Sequence, residues 1–283
     1  MSLHPDLVAA LRCPRSHTPL HLEQAELRDG RIWRGVLRSE RGDRWTIRDG
    51  IADLLARPAA WNGAQLTNRL RLVAWGYERI WRPRALTLLS GEPFPLGREL
   101  AQGVAHLDPG RGGVYLDLAC STGLYGRALA RVAARSAHVV SLDHSWAMLR
   151  ETQRRAAAEG VALSLVRGLA EELPFRDEAL AGLACGGSLN EFANRDRALS
   201  EARRALRPDG RSFWMLARQA PTLAGRLTQL ALEPGGVEFP PADELAAALR
   251  SAGLRVTSDQ RQGAIQLIAT AGRALDPGPG HGP

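Results

Sequence analysis

Lysine is missing from this 283-residue chain. All 37 basic side chains are arginine, set against 30 Asp and Glu, for a formal net charge of +7. Alongside abundant Ala, Leu, Gly and Pro, this one-sided usage reads as coding composition, not as selection for phosphate contacts. No dense basic run occurs, and Arg154-Arg155 and Arg203-Arg204 fall on expected helices as solvated faces. A nucleic-acid partner is therefore not expected. Cysteine is scarce: Cys13, Cys120 and Cys185 are scattered and odd in number, which argues against a disulfide framework and for a reducing, cytoplasmic setting. No apolar run reaches 18 residues, so no membrane-spanning helix is expected. The opening MSLHPDLVAALRCP lacks a basic stretch followed by a long apolar one, so no signal peptide is expected. Hydrophobic content of 45% and charged content of 24% are ordinary for a globular chain long enough for one large domain and an accessory one.

What is present centres on Val114–Gly126, VYLDLACSTGLYG. A short apolar run closes on Asp117, a small-residue turn follows, and an Ala/Leu/Arg-rich helix starts at Leu124. Strand, tight turn and helix form the first unit of an open α/β sheet, whose ligand crevice lies at the carboxyl ends of the strands. Small residues let a ligand approach the backbone, and Gly123 can adopt positive φ if the turn needs it. Ser121-x-Gly123-x-x-Gly126 resembles a dinucleotide fingerprint without its first glycine. Asp117 argues against that ligand: a carboxylate at the mouth of the turn repels a pyrophosphate and attracts an ammonium or sulfonium group. The next strand, residues 137–142, ends on Asp143, twenty residues beyond Gly123, where an acidic side chain can bind ribose hydroxyls.

VYLDLACSTG, VVSLDHSWAML, LAEELPF, LNEF and ALRPDGRSFWM together resemble the class I S-adenosylmethionine-dependent methyltransferases, in particular their quinone-biosynthesis-like branch. The resemblance covers about residues 98–271. It implies a Rossmann-like α/β fold, with a seven-stranded, mostly parallel sheet and an antiparallel last strand. It also implies S-adenosyl-L-methionine as cofactor, held around Asp117, Ala119, Ser121, Gly123, Asp143, His144, Met148, Leu169, Ala170 and Cys185. Leu169 departs from the pattern, since most relatives carry an aspartate there; Glu171 or Glu172 could compensate. Where many relatives place a histidine, this chain has Asn190 and Glu191. Glu191 serves as a base if burial raises its pKa, and Asn190 can orient a nucleophile. The bland alternative is that both cap the helix expected over 195–206.

Residues 1–56 read as a small β-rich unit, with strands at 19–27, 31–38 and 44–47 and turns at Asp29-Gly30 and Gly42-Asp43. LRCPRSHTPL with RWTIRDGIADLL is similar to a zinc-ribbon-like segment that precedes some methyltransferase domains. Only Cys13 remains of its ligands: Ser16 stands at the partner position, and Arg38 and Arg41 stand near the second pair. His4, His17 and His21 could join Cys13, but hydroxyl and guanidinium groups cannot replace thiolates. No metal is expected. Residues 57–97 read as a linker and helical cap carrying Trp75, Tyr77 and Trp81, residues 98–272 as the cofactor-binding domain and 273–283 as a disordered tail. The stretch 217–241 is expected to wall the substrate, 242–252 to be helical, and 254–258 with 263–270 to form a closing hairpin.

The expected activity is methyl transfer to a small apolar, phenolic or quinol-type acceptor. The alternatives are an RNA base methyltransferase, a non-methylating protein of the same fold and, on the weak fingerprint, a dinucleotide oxidoreductase. The oligomeric state is left open.

Overall fold

The computed structural model describes residues 2–58, 96–235 and 237–273. The cap with Trp75, Tyr77 and Trp81, and the expected tail beyond Arg273, lie outside the described residues.

One mixed sheet of eleven strands runs through the molecule in the order β1-β2-β3-β4-β7-β6-β5-β8-β9-β11-β10. The N-terminal strands are β1 (Leu20–Arg28), β2 (Arg31–Ser39), β3 (Arg44–Arg48) and β4 (Ile51–Asp53). They form an antiparallel meander whose last strand pairs in parallel with β7, Ala52 opposite Val166. The expected α/β class with a mostly parallel central sheet is present, and the sheet has eleven strands where seven were expected because the N-terminal β-rich unit extends it. Three residues of β4, without alternation, carry too little pattern to be read from sequence. The outer strand β1 is exposed along most of its length and carries Glu23, Glu26 and Arg28, charges suited to a sheet edge.

The remaining seven strands are β5 (Gly113–Leu118), β6 (Ala137–Asp143), β7 (Ser164–Arg167), β8 (Leu180–Gly186), β9 (Leu206–Ala217), β10 (Leu254–Gln262) and β11 (Ile265–Arg273). Strands β5 to β9 are parallel; β11 returns antiparallel to β9 and pairs with β10. Central β5 is buried over nearly its whole length, because a parallel strand is covered on both faces. The helices are α1 (Leu96–Leu107), α2 (Leu124–Val132), α3 (Trp146–Ala158), α4 (Arg195–Ala205), α5 (Leu223–Leu232) and α6 (Ala242–Ser251). No helix among the described residues is long and apolar enough to cross a membrane.

From β5 the chain steps to β6 and β7 on one side, then crosses back to β8 on the other. The neighbours β5 and β8 therefore mark the switch point, and a crevice opens above their carboxyl ends. The arginines serve mainly as staples. Arg204 donates to the carbonyls of Leu173 and Phe175 and to Asp177 and Glu201, so it is not on a solvated face. Arg154 and Arg155 both pair with Glu151.

Candidate cofactor and catalytic site

The turn after β5 is built from backbone that few residues adopt. Ala119, Ser121 and Gly123 have φ of +51°, +50° and +74°. Gly123 has a second constraint: a Cβ there would lie 2.3 Å from Thr152 Cγ2 on α3. Thr152 Oγ1 donates to the Ser121 carbonyl at 2.8 Å, so α3 presses directly on the turn. At the foot of the turn Asp117 is 2% exposed, and its Oδ2 accepts the Gly126 amide at 2.7 Å. This bond fastens the first turn of α2 to the end of β5.

Asp143 closes the other side. Its Oδ2 accepts the Ser121 amide at 2.9 Å and its Oδ1 accepts the Ser145 amide at 2.8 Å. Burial raises its pKa above the ordinary carboxylate value, while His144 and these amides oppose the rise. Each carboxylate oxygen still has a lone-pair site beyond the amide it accepts. Ser145 caps α3, accepting from the Met148 amide, and Ser121 Oγ lies 3.5 Å from Met148 Sδ. His144 Nδ1 lies 3.8 Å from Asp143 Oδ1, and His144 Nε2 is buried without a hydrogen-bond partner.

Leu169 and Ala170 are buried just beyond β7, where the Gly168 amide donates to the Asp143 carbonyl at 3.1 Å. Neither neighbouring glutamate stands in for the missing aspartate. Glu171 Oε1 accepts the Asn194 amide, and Glu172 pairs with Arg57 and Arg197. Cys185 packs in the apolar core among residues such as Leu183 and Leu216, and burial pushes its thiol up to about 12. That leaves its backbone alone for a ligand. Gly186, the next residue, lines the hollow instead, with Asp117, Ala119, Cys120, Ser121, Thr122, Leu124 and Tyr125. A Cβ at Gly186 would meet the Tyr125 ring at 2.3 Å, so only glycine fits beneath that ring. The hollow is about 10 Å³, barely enough for one water.

The loop after β8 separates the two candidate catalytic residues. Asn190 is buried; its Nδ2 donates to the carbonyls of Ala217 and Glu238, and its Oδ1 accepts the Ala217 amide at 2.9 Å. The side-chain amide thereby holds the β8 loop against β9, with both Nδ2 protons used on backbone carbonyls. Nor does Asn190 cap α4, since Asn194 does so by accepting the Arg197 amide. Glu191 is different. Burial, with a contribution from the charge of Asp143, pushes its carboxyl up to about 7.

Residues 116–210 match the family model described as a methyltransferase domain. The span begins within β5, includes both carboxylates and the Glu191 loop, and ends in β9. This chain carries a class I S-adenosylmethionine-dependent methyltransferase domain. A ubiquinone/menaquinone biosynthesis C-methyltransferase of Brucella anthropi is 31% identical over 142 residues, 50% of this chain and 48% of that one. One of the same name from Geobacter sulfurreducens is 26% identical over 248 residues, 79% of this chain and 86% of that one. The chain spans about half the length of the Brucella relatives it matches. The geranyl diphosphate C-methyltransferase of Streptomyces coelicolor superposes with a TM-score of 0.54 at 16% identity, over 63% of this chain and 76% of that one. That likeness is one of fold. The family match begins at residue 116 and lends the zinc-ribbon resemblance no support.

S-adenosylmethionine is the cofactor of this domain type, and the residues present fit it. The buried carboxylates Asp117 and Asp143 suit a cationic nucleoside. His144, whose Nδ1 lies 3.8 Å from Asp143 Oδ1, keeps a buried Nε2 without a hydrogen-bond partner next to this site. Gly123 and Gly186 let the turn and the end of β8 pack directly against Thr152 and the Tyr125 ring, which shapes the wall of the crevice.

Proposed function

We propose that the methyltransferase domain methylates a small apolar acceptor of phenolic or quinol type, with Asp117, Ala119, Ser121, Gly123, Asp143, His144, Met148, Leu169 and Ala170 around the cofactor. The observation that carries this reading is Glu191, whose carboxyl is raised to about 7 in electrostatic reach of Asp143. Bound S-adenosylmethionine supplies an electrophilic methyl group on a sulfonium centre. The protein's part is to bind the acceptor, orient it and take its proton. A phenolic hydroxyl has a pKa near 10 and is a weak nucleophile until deprotonated. A base titrating near neutrality is matched to that task, because it is partly ionised at working pH and still basic enough to accept the proton.

The relatives in quinone biosynthesis support the same acceptor class. So does α5, which the sequence left unassigned within a Gly/Pro-punctuated wall. It follows β9 at the carboxyl-end rim of the sheet and exposes Leu223, Leu227 and Leu230 at 77%, 60% and 57%. Their spacing puts them along one side of the helix, an apolar surface for an apolar acceptor. Among the described residues, arginines such as Arg12, Arg154 and Arg204 are paired with carboxylates, which does not favour a phosphate-backbone partner.

The test is methyl transfer from isotopically labelled S-adenosylmethionine to a demethylated quinol and to bulk RNA. The proposal expects label in the quinol, lost in Glu191→Gln with cofactor affinity kept. Label in RNA alone would overturn the acceptor class.

A further inference from the structure

At the far end of β6 from Asp143, the N-terminal segment brings three metal-competent groups together. His138 is the second residue of β6, and Asp143 is the last. They are five residue steps apart along the strand, about 17 Å. His4 and Asp6 come from the start of the chain, at the cap and first turn of a short 3₁₀ helix, Pro5–Ala10. Asp6 Oδ2 lies 3.6 Å from His4 Nδ1 and 3.7 Å from His138 Nε2, and the three donor atoms lie within 4.8 Å of one another. The two imidazole rings are 4.4 Å apart.

We propose that His4, Asp6 and His138 bind a divalent transition ion of the zinc class. Tetrahedral zinc with bonds of about 2.0–2.1 Å places neighbouring donors about 3.3–3.4 Å apart. The two distances from Asp6 exceed that by only a few tenths of an ångström. Two imidazole nitrogens and one carboxylate oxygen suit zinc, nickel or cobalt, whereas magnesium and calcium prefer all-oxygen sets.

Both backbones are fixed before any ion arrives. The His4 amide donates to Ser164 Oγ at 3.1 Å, and the Leu3 amide donates to the Gly50 carbonyl at 3.1 Å. His138 sits in the β5–β6 ladder opposite Val114. The Asp6 side chain is 71% exposed, so a change of rotamer can close the remaining distance. In this arrangement His4 Nδ1 accepts only a long bond of 3.3 Å from the Asp6 amide, an exposed donor that water can satisfy. The fourth position faces a cleft of about 270 Å³ lined by Arg31, Arg135 and Ser164. Arg31 is held there by the carbonyls of Ser2 and Leu163 and by Ser164 Oγ, and its charge favours water or a small anion as fourth ligand. The ion would clamp the first residues of the chain to the methyltransferase sheet, on the side away from the cofactor.

The test uses the full chain without a polyhistidine tag, stripped by chelator and titrated with Co²⁺ and then Zn²⁺. One Zn²⁺ per chain is expected, with a visible Co²⁺ spectrum that zinc bleaches. Affinity should fall roughly tenfold or more in His138→Gln and in Asp6→Asn. Zinc should raise the unfolding temperature of the parent protein but not of His138→Gln. S-adenosylmethionine titration should give the same affinity in all three, and Asp6→Asn, at an exposed position, guards against a folding defect. Absence of zinc binding, unchanged binding in both variants, or loss in Cys13→Ser instead would overturn the proposal.

Discussion

Ser121 and Asp143 are 22 residues apart in sequence, and the amide of one donates to the carboxylate of the other at 2.9 Å. The bond joins the turn after β5 to the end of β6, and the second oxygen of Asp143 holds the start of α3 through Ser145. One side chain thus sets the spacing of two walls of the cofactor crevice and remains able to accept ligand hydroxyls.

Asp143→Ala should therefore weaken S-adenosylmethionine binding and also loosen the turn. A hydrogen bond to a charged group contributes about 1.5–3 kcal/mol, so the dissociation constant should rise on the order of tenfold to a hundredfold. Calorimetric titration measures it. Unchanged affinity would remove Asp143 from the cofactor site.

Gly123→Ala should destabilise the fold through two separable causes. Forcing a side chain into left-handed backbone costs about 1–3 kcal/mol, and the new Cβ collides with Thr152 Cγ2. Adding Thr152→Ser removes the colliding methyl and should restore part of the loss, never all of it. Thermal unfolding of the four proteins in the double-mutant cycle reads both contributions.

Glu191→Gln should abolish a rise in methyl transfer with an apparent pKa of about 7 in the cofactor-free enzyme, seen in kcat/KM. The linked stability has the opposite direction. The folded state holds the Glu191 proton up to about 7, while the unfolded chain releases it near 4.5, so stability falls as pH rises between those values and is level above them. The Gln variant should lack that slope in denaturant titrations taken at several pH values.

Asn190→Ala should behave as a structural lesion. It removes three hydrogen bonds to the Ala217 and Glu238 backbone, at about 0.5–1.5 kcal/mol each. The denaturant midpoint should drop. Cofactor affinity, corrected for the folded fraction, should change little; a selective loss of turnover with intact stability would return Asn190 to catalysis.

Much of this was open to reading along the chain. The parallel strands, the glycine-bearing turn, the two terminal aspartates and the closing hairpin each rest on local patterns: apolar runs, small-residue turns and acidic strand ends. Most positions agree with the sequence reading to within a few residues, although β9 starts at Leu206 and takes in the 207–210 stretch that reads as a turn; Val114–Gly126 alone implied the crevice and the charge of its ligand.

What the chain order could not supply was every relationship in which the partner is distant. Asn190 and Glu191 are adjacent, yet one is spent on backbone groups of residues 217 and 238, and the other is poised by burial and the field of Asp143. The short β4 strand that makes the N-terminal meander part of the main sheet depends on β7, more than 100 residues later. His4, which the sequence grouped with Cys13, stands instead against His138. Local pattern determines elements because backbone preference and amphipathicity act over a few residues; titration, ligand geometry and side-chain satisfaction are set by whichever atoms folding brings within a few ångströms.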